Sequence, residues 1–218
     1  MRNDIAILGA GGMAREAYWH IRDTNPEART IFVDDVTDVR ALDMGEQCVP
    51  VVKDWRFEDL PLDGERITVK HYTVGVGDPK VKRLLVARAL EAGLKPAPTV
   101  IHPRAFIQGT DCTIGHGGII TPGCVITTNV HIGEHVILNL NTTIAHDSVI
   151  GDYVTINAGS NIAGNVTLGD NVTLGTGTTI RDGIRIAQDV ITGAQACVVK
   201  DIRERGTVAI GVPAKPLR

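Results

Sequence analysis

The chain has 218 residues, enough for one or two domains with a sizeable core. Its formal net charge is −3, so no basic footprint for non-specific nucleic-acid binding is present. Aromatic residues make up only 4% while glycine is abundant, and no apolar stretch approaches the length needed to insert in a membrane.

The opening MRNDIAILGAGG does not read as a signal peptide, because its apolar run is short and passes directly into glycines. The four cysteines, Cys48, Cys112, Cys124 and Cys197, form no Cys-x-x-Cys pair and no disulfide framework. A cytoplasmic location is the expectation.

Residues 1 to about 95 read as strands alternating with helices, the pattern of a parallel sheet in an α/β domain. A strand at Ile5–Leu8 runs into Gly9-Ala10-Gly11-Gly12, and a helix follows from about Ala14 to Asp23, stopped by Asn25-Pro26. Thr30–Val33 is a second strand ending at Asp34-Asp35, Val49–Val52 a short third, and Ile67–Val76 a stronger one. Asp78-Pro79 starts a helix that runs to Ala92, with Gly93 ending it. Lys95-Pro96-Ala97-Pro98 reads as a hinge, giving domains 1–95 and 96–218.

From about Val100 a second rhythm begins. Ile114, Ile120, Ile126, Ile132, Leu138, Ile144, Ile150, Ile156, Ile162, Leu168, Leu174, Ile180 and Ile186 recur at intervals of six without a break. Ile and Leu are 36 of the 218 residues, so thirteen consecutive hits arise by chance roughly once in ten billion trials. A period of six fits neither an α-helix nor a heptad. It fits a parallel β-helix of hexapeptide repeats. Fifth positions such as Cys124, Val136, Thr142 and Val154 are small or Val, and second positions such as Gly115, Asn139, Asn157 and Gly175 let the chain turn. Three hexads make a triangular coil, so residues eighteen apart stack at the ordinary strand spacing of about 4.8 Å. Thr192 interrupts the series, and the regular coil is expected to end near it.

His146 stands at the third position of its hexad, outside the core, with Gly164 one coil further on. Acyl transfer needs a base for the nucleophile and a donor for the oxyanion. His146 supplies the first and the Gly164 N–H the second. A solvated corner histidine is the bland alternative, and Asn139 under Asn157 is equally compatible with a corner ladder of asparagines. In the first domain, Gly9-x-Gly11-Gly12 between strand and helix is a phosphate-binding turn, with Asp34 placed to meet a ribose or base. Fewer than 100 residues precede the hinge, half of a Rossmann fold, which fits one nucleotide better than a dinucleotide. His116, His131 and His135 raise a zinc-dependent alternative of the carbonic anhydrase type. His131 and His135 fall at the sixth and fourth hexad positions, however, where their side chains are expected to diverge.

The second half is similar to the hexapeptide-repeat acyltransferases, down to the closing GVPAK (residues 211 to 215). The whole chain resembles the PglD/NeuD-type sugar acyltransferases. The resemblance is carried by ILGAGGMARE (7 to 16), VDD (33 to 35), VGVGD (74 to 78), VIHP (100 to 103), NLNTTIAHDSVIGDY (139 to 153) and IAGNVTLGDNV (162 to 172). It implies a Rossmann-like half domain followed by a left-handed parallel β-helix, and a homotrimer with active sites between adjacent β-helices. It implies acetyl-CoA-dependent N-acetylation of a nucleotide-linked amino sugar in bacterial surface glycan synthesis. His146 would be the base, Asp147 would raise its basicity, and Asn139 would share the catalytic site. Gly164, Thr155, Thr176 and Lys215 would contact acetyl-CoA. Gly11, Gly12, Met13, Asp34, Asp35, Gly75 and Gly77 would surround the nucleotide sugar. Neither a covalent enzyme intermediate nor a metal is implied.

Two departures stand out: Met13 and Thr155 occupy positions that are often, or can be, His in that group. Lys200, Arg203, Arg205, Lys215 and Arg218 are candidates to meet the phosphates of coenzyme A, although Asp201 and Glu204 interrupt the run. The same machinery acting as an O-acetyltransferase on a sialic-acid-like sugar is the near alternative. A non-catalytic trimer that only binds a nucleotide sugar is the distant one.

Overall fold

The computed structural model describes residues 4–45, 47–62 and 64–217. Arg218, one of the basic candidates, lies outside the described residues. The first unit runs β1 (Ile5–Leu8), α1 (Gly12–Thr24), β2 (Thr30–Val33), β3 (Ala41–Asp43), β4 (Cys48–Val52), β5 (Leu60–Leu62), β6 (Glu65–Ile67), β7 (His71–Val74), α2 (Pro79–Glu91) and β8 (Lys95–Pro96). Its main sheet has the order β3-β4-β2-β1-β7-β8. All neighbours in it are parallel except β3 on β4. β1 and β2 are buried along their whole length, which explains the apolar sequence of β1 and of Ile31, Phe32 and Val33 in β2.

Two expectations are corrected here. The strand expected over Ile67–Val76 is two strands, because Ile67 closes the β5–β6 hairpin while His71–Val74 joins the main sheet beside β1. Lys95–Pro96 is no hinge. It pairs with His71–Tyr72 as an edge strand, where proline is tolerated, and the Ala97 N–H continues to the Tyr72 carbonyl. The regular eighteen-residue register does end near Thr192: its last pairings are Thr179↔Cys197 and Ile180↔Val198, and the coil that follows is shortened, Ile191 lying opposite Val208. Ile191–Thr192 pairs onward with Val208–Ala209. The buried Thr192 hydroxyl is satisfied by the Thr178 hydroxyl at 2.8 Å and the Gly175 N–H at 3.0 Å, so a polar residue fills an aliphatic position without an orphaned group.

From Val100 onward the chain is a parallel β-solenoid with three faces of eight, six and five strands. The first face contains Ile119–Ile120, Ile137–Leu138, Thr155–Ile156 and Thr173–Leu174. The second contains Val125–Ile126, Thr143–Ile144, Asn161–Ile162 and Thr179–Ile180. The third contains Thr113–Ile114, His131–Ile132, Val149–Ile150 and Thr167–Leu168. The register is eighteen residues, as in Ile114↔Ile132 and Ile150↔Leu168. The hexad aliphatics and the small fifth-position residues together form one continuous core. Corners turn at the fourth position of the hexad, where Asn129, Asn141, Asp147, Asn165 and Asn171 take φ between 52° and 61°. Asn and Asp tolerate that left-handed conformation better than other side chains.

Two corners of the same kind carry His135 (φ 57°) and Tyr153 (φ 59°) instead. Their rings stack at 4.8 Å, and His135 stacks in turn on Tyr72 of β7 at 5.7 Å. The Tyr72 hydroxyl lies 2.9 Å from His135 Nε2. Burial, then the nearby Lys82 charge, pushes His135 down to about 4, so the ring is neutral near pH 7. Ile119 and Ile137 of the first face complete the apolar clusters of the α/β unit. The α/β unit is therefore packed onto the first face and the corner leading into it.

Ile156 sits mid-solenoid and is fully buried. Ile156→Ala is expected to lower unfolding free energy by about 2–5 kcal/mol, read by urea titration. A loss below about 1 kcal/mol would show that this column does not carry the coil.

Candidate functional site

His146 follows Ile144 at the corner between the second and third faces, and its side chain is more than half exposed. The turn places Asp147 in the left-handed conformation, which folds its carboxylate back onto the ring. His146 Nδ1 lies 2.8 Å from Asp147 Oδ2. The carboxylate accepts the Nδ1 proton and leaves Nε2 as the free acceptor, the tautomer a general base needs. Asp147 Oδ1 accepts a 2.7 Å hydrogen bond from Asn129 Nδ2. That bond, then the one from His146, holds the Asp147 carboxyl below its ordinary range. Sequence reasoning passed over Asn129, although the eighteen-residue register places it directly beneath Asp147.

Gly164 is the next residue along this corner. A Cβ there would sit 2.5 Å from His146 Cε1 and 2.6 Å from Nε2, so only glycine lets the ring lie against this backbone. The flanking N–H groups are occupied, Ala163 by the Ile180 carbonyl and Asn165 by the His146 carbonyl. Among the described residues the Gly164 N–H has no hydrogen-bond acceptor. A free donor and a free imidazole nitrogen thus share one surface, the pairing acyl transfer requires.

The other candidates lie elsewhere. Asn139 and Asn157 stack at the corner between the first and second faces, joined by a 3.2 Å bond from Asn139 Nδ2 to Asn157 Oδ1. Thr176 is exposed at the same corner one coil on. Within one chain these residues do not meet His146. Thr155 is on the first face, 1% exposed, and its hydroxyl donates to the Gly77 carbonyl at 2.6 Å. His131 Nδ1 bonds the Thr113 hydroxyl on the exposed third face, while His135 is buried in its ring stack, so the two histidines diverge.

In the α/β unit, α1 begins at Gly11 with no side-chain cap, and nothing lies within 4 Å of where a Cβ on Gly11 or Gly12 would stand. Its first N–H groups are open and carry the positive end of the helix dipole, a geometry suited to phosphate. By contrast α2 is capped by the Asp78 side chain through the N–H groups of Lys80 and Val81. Asp34 is engaged by backbone: Oδ2 accepts from the Ala10 N–H, and Oδ1 from those of Val36 and Thr37. Asp35 pairs with Arg88 of α2, which holds its carboxyl below the ordinary range. Gly75 is required by packing, since a Cβ would stand 2.8 Å from Ala14 Cβ and Ile7 Cγ2. The Met13 thioether covers Gly77, 3.0 Å from where its Cβ would be, with the Thr155 methyl on the other side at 3.7 Å.

At the C-terminus, Val208–Ile210 turns back antiparallel onto Lys215–Pro216, so the GVPAK segment makes the closing hairpin. Beside it is a cleft of about 340 Å³ lined by Lys200, Arg203 and Lys215 among others. Arg205 is instead paired with Asp189. Among the described residues, no helix is long and apolar enough to cross a membrane.

No protein-family model matches the chain. A curated relative, GDP-perosamine N-acetyltransferase of Escherichia coli O157:H7, is 29% identical over 148 residues, 66% of this chain. The chain spans 62% of the length of that relative. Among solved structures, the acetyltransferase domain of PglB from Neisseria gonorrhoeae FA1090, in complex with acetyl coenzyme A, superposes with a TM-score of 0.84 at 27% identity, covering 100% of both chains. PerB from Caulobacter crescentus, in complex with CoA and GDP-perosamine, gives 0.84 at 28% identity over 99% of this chain and 97% of that one. A hexapeptide solenoid with a histidine–carboxylate corner marks the chain as similar to acyltransferases of the hexapeptide-repeat class. Within that class the likeness is to the sugar N-acetyltransferases.

Asn129→Ala removes the first-ranked cause of the low Asp147 pKa. Asp147 is then expected to titrate at higher pH, followed by carboxyl-carbon NMR. The sign is that of a depressed acid: its contribution to stability is present above the unfolded pKa and lost as pH falls through the folded one. An unmoved Asp147 titration in the variant would mean that Asn129 does not hold the pair.

Proposed function

We propose that the protein is an acetyl-CoA-dependent N-acetyltransferase acting on the amino group of a nucleotide-linked sugar. The observation that carries this reading is the corner itself: an acceptor Nε2 oriented by Asp147, lying against a Gly164 N–H that is free among the described residues. The amine attacks the thioester carbonyl carbon, and the Gly164 N–H donates to the oxygen as it becomes an oxyanion. His146 Nε2 takes the proton released by the amine. Collapse of the tetrahedral adduct breaks the carbon–sulfur bond, and the imidazolium returns the proton to the departing thiolate. A base of this kind contributes about 100- to 10,000-fold, and one oxyanion donor about 3 kcal/mol. The PglB domain and PerB, solved with acetyl coenzyme A and with CoA plus GDP-perosamine, support the two substrate classes. The Caulobacter enzyme has also been solved with a single histidine replaced by Asn or by Ala.

In this reading, residues 1–95 are a Rossmann-like half domain whose open α1 terminus, with Gly11, Gly12 and the Gly75 and Gly77 turn, receives the nucleotide diphosphate. Residues 96–218 are a left-handed β-helix whose Gly164, Thr176 and Lys215 contact acetyl-CoA, with Lys200 and Arg203 near its phosphates. The location is the cytoplasm and the process surface glycan synthesis. The α/β unit packs against the first face, whereas His146 stands at the corner opposite that face. One chain cannot bring its own cradle to its own base. A homotrimer, in which one copy presents the sugar and the Asn139 corner to the next copy's His146, resolves this.

Wild-type protein incubated with acetyl-CoA and a panel of nucleotide amino sugars is expected to release free thiol, with His146→Ala lowering turnover by at least about 100-fold. Mixing two inactive variants, His146→Ala and a cradle variant Gly12→Glu, and refolding them together is expected to restore part of the activity. Failure of every amino sugar sinks the activity, and failure of the mixture sinks the shared site.

A further inference from the structure

Lys82, on α2, is the one lysine with no exposed surface among the described residues. Its three Nζ protons are shared among four acceptors, the carbonyls of His135 (3.0 Å), Tyr153 (3.1 Å) and Val154 (3.3 Å) and the Thr155 hydroxyl (2.9 Å). All four oxygens belong to the solenoid. His135 and Tyr153 stand eighteen residues apart at one corner, so a single ammonium ties α2 to two successive coils. An ammonium has no lone pair, so Thr155 Oγ1 is the acceptor in their bond. The single Thr155 proton is thereby directed elsewhere, and it goes to the Gly77 carbonyl at 2.6 Å.

We propose that Lys82 is a positioning residue for acceptor binding: through the Thr155 hydroxyl it fixes the Gly75–Asp78 turn against the solenoid and so sets where the open N-terminus of α1 stands. The turn is locked from each side. Gly75 packs directly on Ala14 in the first turn of α1, Gly77 is held between Met13 and Thr155, and Asp78 caps the helix that carries Lys82. A displacement of the Gly77 carbonyl would therefore be passed to Gly12 and Met13. Packing alone does not account for a lysine here. Desolvation penalises the buried ammonium and an apolar side chain of like volume would serve a dry contact as well or better. What the ammonium adds is direction, a donor that orients one hydroxyl toward one carbonyl. Burial pulls the Lys82 pKa down to about 7 and the Asp78 carboxylate pulls the other way; the three carbonyl oxygens around Nζ can only accept, so the geometry calls for the protonated form.

The inference rests on the α1 terminus being the nucleotide-sugar cradle, and it assigns Thr155 to the acceptor side of the site, not to acetyl-CoA. Lys82 is too deeply buried for its own variants to be decisive, so the relay is cut at Thr155. Thr155→Val keeps the shape and removes the hydroxyl, while Thr155→Ser restores it. In Thr155→Val the KM for the nucleotide sugar is expected to rise about tenfold, the effect of one buried hydrogen bond. The KM for acetyl-CoA stays within about twofold, amide hydrogen exchange of residues 75–78 quickens, and Thr155→Ser reverses all three changes. An unchanged nucleotide-sugar KM, or a rise in the acetyl-CoA KM in its place, overturns the assignment. If wild-type protein turned over no amino sugar at all, the activity reading would fall on its own. The exchange rates of residues 75–78 would then still decide whether Thr155 holds the turn.

Discussion

Everything in the second half depends on the eighteen-residue register. Each coil must close in three hexads, and each hexad must turn through a left-handed residue at its fourth position. Once this holds, neighbouring coils repeat every side-chain position about 4.8 Å apart, and a column of corners becomes a ladder of aligned functional groups. Asn129, Asp147 and Asn165 form one such column, and all three take positive φ. The carboxylate that orients His146 is thus the residue the turn itself favours. The histidine–carboxylate geometry here is a by-product of the conformational demand of the corner. The same regularity dictates Gly164, since any larger residue at the next third position would meet the imidazole.

Two corners that carry an aromatic ring instead of Asn or Asp bind the α/β unit. His135 and Tyr153 accept the left-handed conformation without a short polar side chain to ease it. They are compensated by the ring stack with Tyr72 and by Arg83, whose guanidinium lies 4.7 Å from the centre of the Tyr153 ring. Burial first, and then the neighbouring Lys82 charge, lower the His135 pKa, so this dry contact does not place two cations together. The junction is an ordered polar and aromatic interface, and it leaves no free linker between the two units.

What was legible in the sequence follows from how local each cause is. The hexad aliphatics each report their own burial, so the period, the stacking of Asn139 under Asn157, and the closeness of His146 and Gly164 could be read by counting. The α2 cap at Asp78-Pro79 was equally local. Prolines in Lys95–Pro98 pointed to a linker because sequence does not show that an edge strand can spare the missing N–H. Thr192 breaks the aliphatic series without breaking the core, and this was not legible because its partner Thr178 is fourteen residues back in the neighbouring coil. Lys82 was invisible for the same reason at greater range: on an amphipathic helix a lysine reads as solvated, and its acceptors lie 53 to 73 residues away.

The position of the α/β unit has a further consequence for the chemistry. A coil has three corners, and the unit covers the first face and the corner entering it. The corner opposite that face is left exposed and carries His146. The Asn139 corner borders the covered face, and its asparagines are only half buried. The open α1 terminus and His146 thus stand on different sides of one coil, with no hinge within the chain between them. In such a design precision comes from two stiff elements, the solenoid register and the Lys82–Thr155–Gly77 contact.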